Sequence, residues 1–178
     1  GDGCLMEGIS QEAISLAGHL RLSKLVVLWD DNSISIDGPT GLSTSDDQLL
    51  RFTASNWDVQ SVDGHDQEAI AEAIEKARRA DRPSLMACRT VIGFGAPNKA
   101  GTADTHGAPM GDDEIAASRE RLEWPHAPFD IPDAVREQWA AAGQRNLSGY
   151  AAWQDRDRFV LSAGHGSMLI YSLLHLTG

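Results

Sequence analysis

Residues 1–38, GDGCLMEGISQEAISLAGHLRLSKLVVLWDDNSISIDG, decide the fold. Gly1-Asp2-Gly3 opens the stretch. An amphipathic helical run over residues 9–22 follows, with Ile9, Ala13, Leu16, Ala17 and Leu20 on one face. A short strand over residues 25–29, apolar throughout, then runs into Asp30-Asp31-Asn32. Such a strand suits a central position in a parallel sheet covered on both sides. If it lies parallel to a strand preceding Gly1, the loops at Asp2 and Asn32 both emerge at the carboxyl end of the sheet, where open α/β sheets bind ligands. Asp2 then brings a carboxylate, and Asn32 an amide oxygen, to one small volume. Two hard oxygens that leave most of a coordination sphere open suit a divalent cation whose other ligands are phosphate oxygens and water. Gly1 and Gly3 carry no side chain, so backbone N–H groups there can approach a phosphate closely. Taken singly, Gly-Asp-Gly reads as a turn and Asp-Asp-Asn as a solvated loop.

The remaining chain repeats the alternation. Ser45-Asp46-Asp47-Gln48 reads as a capping box for a helix over residues 46–54. A strand is expected at 58–62, a turn at Gly64-His65-Asp66, and a helix at 67–79 with Ile70, Ala73, Ile74 and Ala77 inward. Pro83 introduces a strand at 84–91. Strands alternating with helices predict an α/β fold, a three-layer sandwich with a mainly parallel sheet. Residues 92–113 break the pattern with Gly93, Gly95, Gly101 and Gly107, and long loops of this kind are usually functional or disordered. Helices follow at 112–122 and 133–142 around a proline-rich turn. Residues 143–152 read as a connector. Residues 153–178 read as a strand, a glycine-rich turn at Gly164-His165-Gly166-Ser167 and an apolar helix.

Composition narrows the function. The 178 residues suffice for one domain with a real core. A net charge of −11 argues against a nucleic-acid partner. Cys4 and Cys88 lack metal-ligand spacing, and Cys88 reads as a small buried hydrophobe. Disulfide use is not indicated, so a reducing cytoplasm is expected. No signal peptide and no run long enough to span a bilayer is visible, so no membrane partner is expected.

Several stretches match a known family. GDGCLMEGISQEAISLAGHL with DDNSISIDG, RPSLMACRTVIGFGAPNKAGTADTHGAPMGDDEI (82–115) and DRDRFVLSAGHGSMLIYSLLHLTG (155–178) resemble the diphosphate-binding domain of transketolases. The resemblance implies the thiamine diphosphate-binding fold, and transfer of a two-carbon ketol unit from a ketose phosphate to an aldose phosphate. It implies thiamine diphosphate and Mg²⁺ or Ca²⁺ as cofactors. Asp2, Asn32 and the backbone carbonyl of Ile34 would be the metal ligands, and the Gly3 N–H would meet the diphosphate. His106 would reach the cofactor phosphate and the substrate's hydroxyl end, orienting it or helping a proton transfer. His165 would lie near the diphosphate at a helix start, a position that favours an anion. Ala103 departs from the family, where a histidine often stands, which puts a secondary polar contact in doubt. Glu7 and Glu12 are first-turn acids favoured by the helix dipole; by resemblance they lie at a dimer interface. His19, His65, His126 and His175 read as structural, and Trp29 and Trp57 as core or interface aromatics.

The family's segment order differs from this one. There the GHGS strand lies upstream of Gly-Asp-Gly; here it lies downstream. Residues 1–142 are then the main part of the diphosphate-binding domain, and 153–178 a family-upstream unit of the same domain. A circular permutation joined near 143–152 and a stitched or renumbered piece of a longer protein both fit. The family's SGHPGAP-type histidine segment, its second histidine loop, its GPLGQG-type loop and the pyrimidine-binding domain with its glutamate are not among the 178 residues. Since the family's site lies between two chains of a homodimer, this chain is expected to supply half of one. A non-catalytic cofactor-binding module that needs a pyrimidine domain in trans is the alternative. A degraded domain that binds nothing is a third reading, and intact Asp2, Asn32 and His106 speak against it. Dihydroxyacetone synthase and deoxyxylulose phosphate synthase are alternatives at the substrate level, although GAPNKAGT and THGAP lean toward transketolase.

Overall fold

The structure, a computed structural model, describes residues 1–144. They fall into a unit Gly1–Trp124 and the first part of a second unit that begins at Pro125. In the first unit, helices α1 (Asp2–Met6) and α2 (Gly8–His19) precede strand β1 (Val26–Asp31). A small ribbon of β2 (Ile34–Ser35) and β3 (Gly38–Pro39) follows, then α3 (Gln48–Ala54), β4 (Asp58–Asp63), α4 (Gln67–Ala77), β5 (Ser84–Arg89) and α5 (Asp112–Arg121). In the second unit, α6 (Asp133–Gln144) runs two residues past its expected end and carries an Asp133–Arg136 ion pair one turn apart. The expected connector from residue 145 onward, and the strand–turn–helix at 153–178, lie outside the described residues.

The sheet is parallel, in the order β1-β5-β4. Alternation along each strand separates two apolar clusters. Leu85, Ala87, Trp29, Val27 and Val59 point to one face, where Ile14 and Ala17 of α2, Phe52 of α3 and Trp57 cover them. Met86, Cys88, Val26, Leu28 and Val62 point to the other, under Ala73 and Ile74 of α4. These are the three layers that the alternation predicts. Among the described residues β5 is the central strand, buried from Ser84 to Cys88, and β1 lies beside it with apolar side chains in both clusters. The parallel partner of β1 among the described residues is β5, which follows it in the chain.

Two local expectations also change. The cap of α3 is Asp47, whose carboxylate accepts the Leu50 N–H at 2.9 Å, because Asp47 adopts the extended backbone of a cap and the helix starts at Gln48. The inward face of α2 is not the apolar stripe. Ile14, Ala17 and Gly18 are buried, whereas Ile9 is 64% exposed and Leu16 and Leu20 are exposed too. The reason is a close approach: a Cβ on Gly18 would stand 1.8 Å from the Ser55 carbonyl oxygen. The Trp57 indole N–H donates to the Ile14 carbonyl at 2.9 Å, and the Trp57 ring meets Phe52 edge-on at 4.9 Å. The missing side chain at Gly18, beside Ala17, lets α2 sit that low. Glu7 and Glu12 are exposed on the described residues' surface. No helix among the described residues is long and apolar enough to cross a membrane.

Gly18→Ala is expected to lower folding stability by about 1–3 kcal/mol, the usual range for overpacking, because the obstacle is backbone and cannot rotate away. Urea unfolding measures it; a loss within error would show that α2 is not seated as described.

Candidate functional site

The parallel register levels the carboxyl ends of the strands. Arg89 at the end of β5 pairs in register with Asp31 of β1 and with Asp63 of β4. Everything leaving the sheet here starts from one rim. β1 extends two residues further than expected, so Asp30 and Asp31 belong to the strand and Asn32 is the first residue beyond it.

Gly1-Asp2-Gly3 is not a free loop. Asp2 starts α1, which packs against β1 and β2, and extended backbone at Glu7 (φ −63°, ψ 140°) separates α1 from α2. The turn therefore carries the Asp2 side chain toward the rim. Asp2 is buried (9% exposed), and its Oδ2 has no hydrogen-bond partner. Burial, and then the neighbouring Asp31 carboxylate, push the Asp2 carboxyl above its usual range, with a smaller contribution from Asp30. Such an orphaned oxygen among like charges is costly unless a cation is present.

The other acids are already engaged. Asp31 pairs with Arg89 at 3.1 Å, and Arg89 also donates to Ser33 Oγ at 3.0 Å. Asp30 accepts from Thr90 Oγ1 and, at 3.2 Å, from the Asn32 amide nitrogen. Asn32 Oδ1 accepts the Ile34 N–H at 2.9 Å, which leaves that oxygen a second lone pair. Ser33 sits between them in left-handed backbone (φ 61°), so the chain turns sharply before Ile34 enters β2. Arg89 and Thr90 thus hold the Asn32 turn. Residue reading passed over both; the available signal was a cation and a hydroxyl closing an apolar buried strand, level with an acidic pair.

Asn32 lines a cleft of 730 Å³ together with Ser61, His65, Arg89, Thr90 and Gly101. Asp2 is not among its lining residues. His106 lies in the segment after β5, exposed, just past a 3₁₀ turn over Ala103–Thr105. No hydrogen bond joins His106 to Asp2 or Asn32 among the described residues. His165 lies outside the described residues. Glu114, buried in α5, anchors the same segment: its carboxylate accepts from the Asn98 side chain at 2.9 Å and from the Asn98 and Lys99 N–H groups at 2.8 and 3.0 Å. Those hydrogen bonds, the Asn98 side chain first, hold its carboxyl below the usual range.

No group of three or more His, Cys, Asp or Glu among the described residues could hold a metal. A divalent cation here needs oxygens the protein does not supply, and phosphate oxygens meet that need. Open space above Gly1 and Gly3, where an added Cβ would meet nothing within 4 Å, leaves room for such a group beside Asp2. The donor set therefore fits a metal–diphosphate pair.

The raised Asp2 carboxyl has a stability consequence. Between the unfolded and folded values the native state binds more protons than the unfolded chain, so stability falls as pH rises through that window. Asp2→Asn is thus expected to raise the melting temperature of the metal-free chain by a few degrees at pH 7, the gain vanishing below the carboxylate range. Calorimetric melting across pH checks it; a lower melting temperature at pH 7 would refute the strained-carboxylate reading.

Against this geometry stand the similarities. The model of the transketolase thiamine diphosphate binding domain matches residues 1–155 and, separately, 149–178. Sinorhizobium medicae transketolase is 62% identical over 156 residues, which cover 88% of this chain and 22% of that protein. Escherichia coli transketolase 1 is 54% identical over 160 residues, covering 88% and 24%. Among solved structures, Campylobacter jejuni transketolase superposes with a TM-score of 0.79 at 35% identity, over 96% of this chain and 26% of that one. A Pichia stipitis transketolase mutant in complex with fructose-6-phosphate gives 0.80 at 39% identity, over 87% and 23%. The chain spans between 22% and 26% of the length of these relatives. With the sheet, the rim and the sequence in agreement, the chain belongs to the transketolase family and carries its thiamine diphosphate binding domain.

Proposed function

We propose that this chain supplies the diphosphate- and metal-binding half of a transketolase active site. The reaction is transfer of a two-carbon ketol unit from a ketose phosphate to an aldose phosphate. The observation that carries the reading is the buried Asp2 carboxylate, with one oxygen unpartnered and Asp31 and Asp30 beside it. Asp2, the Asn32 amide oxygen and the Ile34 carbonyl are the metal's protein ligands, Mg²⁺ or Ca²⁺. The Gly3 N–H binds the diphosphate. His106 contacts the cofactor phosphate and the substrate's hydroxyl end, where it orients the sugar or passes a proton. By resemblance to the family, His165, which lies outside the described residues, would be a further contact to the diphosphate.

When bound, thiamine diphosphate supplies the nucleophilic carbon and the electron sink of the chemistry. What this chain contributes is position and charge. Arg89 and Thr90 fix the Asn32 turn, so that the amide oxygen need not reorganise when a cation arrives. Neutralising Asp2 is what relieves its burial among like charges.

A pyrimidine-binding domain from a second chain completes the site, in a homodimer, within a reducing cytoplasm. Exposed Ile9, Leu16 and Leu20 on α2 support a covered surface there. The Pichia stipitis transketolase structures with fructose-6-phosphate and xylulose-5-phosphate support sugar phosphates as substrates. The alternative is a cofactor-binding module without turnover of its own, which needs a pyrimidine-binding domain in trans.

Calorimetric titration of thiamine diphosphate with Mg²⁺ into the chain is the test. Binding is expected to require the metal and to weaken by about 10–100-fold or more in Asn32→Ala. Absence of binding in a folded sample, or equal binding in the variant, would overturn the half-site.

A further inference from the structure

We infer that His65, at the β4–α4 turn, is a positioning residue for the segment that carries His106. The inference rests on the reading of His106 as a contact to the cofactor phosphate or the sugar.

The turn is docked unusually tightly. Gly64 donates its N–H to the Arg89 carbonyl at 2.7 Å, one step beyond the last β4–β5 pair. A Cβ on Gly64 would stand 2.4 Å from Thr90 Cγ2 and 2.9 Å from the Arg89 oxygen, so only glycine permits the approach. On either side, Asp63 Oδ1 accepts the His65 N–H at 2.9 Å, and Asp66 caps α4 through the Glu68 and Ala69 N–H groups at 3.0 Å. The backbone of His65 is therefore fixed before its side chain makes any contact.

That side chain reaches across the rim. Its Nε2 accepts the Val91 N–H at 3.0 Å, and its ring stacks on Phe94 with centroids 4.1 Å apart and planes 27° apart. Val91 lies two residues past the end of β5. Nε2 is thus the acceptor nitrogen of the ring in this contact.

From Val91 the constraint passes to His106 in short steps. Ile92 accepts the Gly101 N–H at 2.8 Å, which closes the loop between them. Gly93, in left-handed backbone (φ 65°), lies so close to Thr105 that a Cβ would stand 2.7 Å from Thr105 Cγ2. Thr105 is bonded to its own turn through Thr102 and is followed at once by His106. His65 also lines the cleft that Asn32 lines. One imidazole thus fixes the base of the loop whose far end presents His106.

The test is residue-resolved amide exchange on the full chain without ligand, comparing His65→Ala with His65→Gln. Loss of the acceptor is expected to speed exchange at Val91, Gly101 and His106 by about fivefold or more, the loss of one net hydrogen bond, with Leu85 to Ala87 of β5 unchanged. Gln supplies an amide oxygen to Val91 and is expected to restore protection there. Unchanged exchange at Gly101 and His106, or equal loosening of β5, overturns the inference. Should His65→Ala not fold, His65→Phe, which keeps the stack and lacks the acceptor, carries the same comparison.

A double-mutant cycle connects this to ligand. His106→Ala is expected to cost less affinity for thiamine diphosphate with Mg²⁺ in the His65→Ala background than in the unsubstituted chain. Additive losses contradict positioning through His106. Failure of the unsubstituted chain to bind would instead refute the half-site, with the exchange result still deciding the pin.

Discussion

Parallel pairing of β5 with both β1 and β4 is the constraint on which the rest depends. It is the most buried strand of the sheet described, and its side chains alternate between two apolar clusters. Because both neighbours pair with it in the same register, Asp31, Arg89 and Asp63 end level. A one-residue slip in either pairing would turn every side chain of that strand to the wrong face. The rim is therefore a consequence of core packing, and the turns that leave it inherit its precision.

At that rim the chemistry is one of unequal satisfaction. Asp31 has Arg89, and Asp30 has Thr90 and Asn32. Asp2 alone among the three keeps a buried oxygen with no partner. A surface carboxylate in this position would solvate itself, and a paired one would be inert. A buried, unpaired one, delivered by the first turn of a helix, is a fixed demand for positive charge, and a metal with phosphate oxygens meets it without further acidic ligands. Thr90 bonds Asp30 beside the Asn32 turn and meets Gly64 of the turn that carries His65, so the Asn32 turn and the loop after β5 border one strand end.

Much of this was legible in residues alone. α4, β4 and β5 fell within a few residues of their expected bounds, because amphipathic period and apolar runs report directly on burial. The α2 face was not legible. Ile9, Leu16 and Leu20 recur with helical period, but period says that a face is apolar and not which surface covers it; Gly18, silent in any hydropathy pattern, decides the seating. Asp2 was legible as a ligand candidate and not as a helical residue, since Gly1 caps α1 without a side chain. Arg89, Thr90 and His65 act through register and through a turn docked on the neighbouring strand, which no local pattern contains.

The most direct measurement is the titration of the Asp2 carboxyl carbon by nuclear magnetic resonance, in the chain alone and with Mg²⁺ plus thiamine diphosphate. The account predicts titration above the usual carboxylate range in the chain alone, and well below it once both are present, because the cation stabilises the charged form that burial and Asp31 disfavour. An ordinary titration in the free chain, or one indifferent to metal and cofactor, would contradict it.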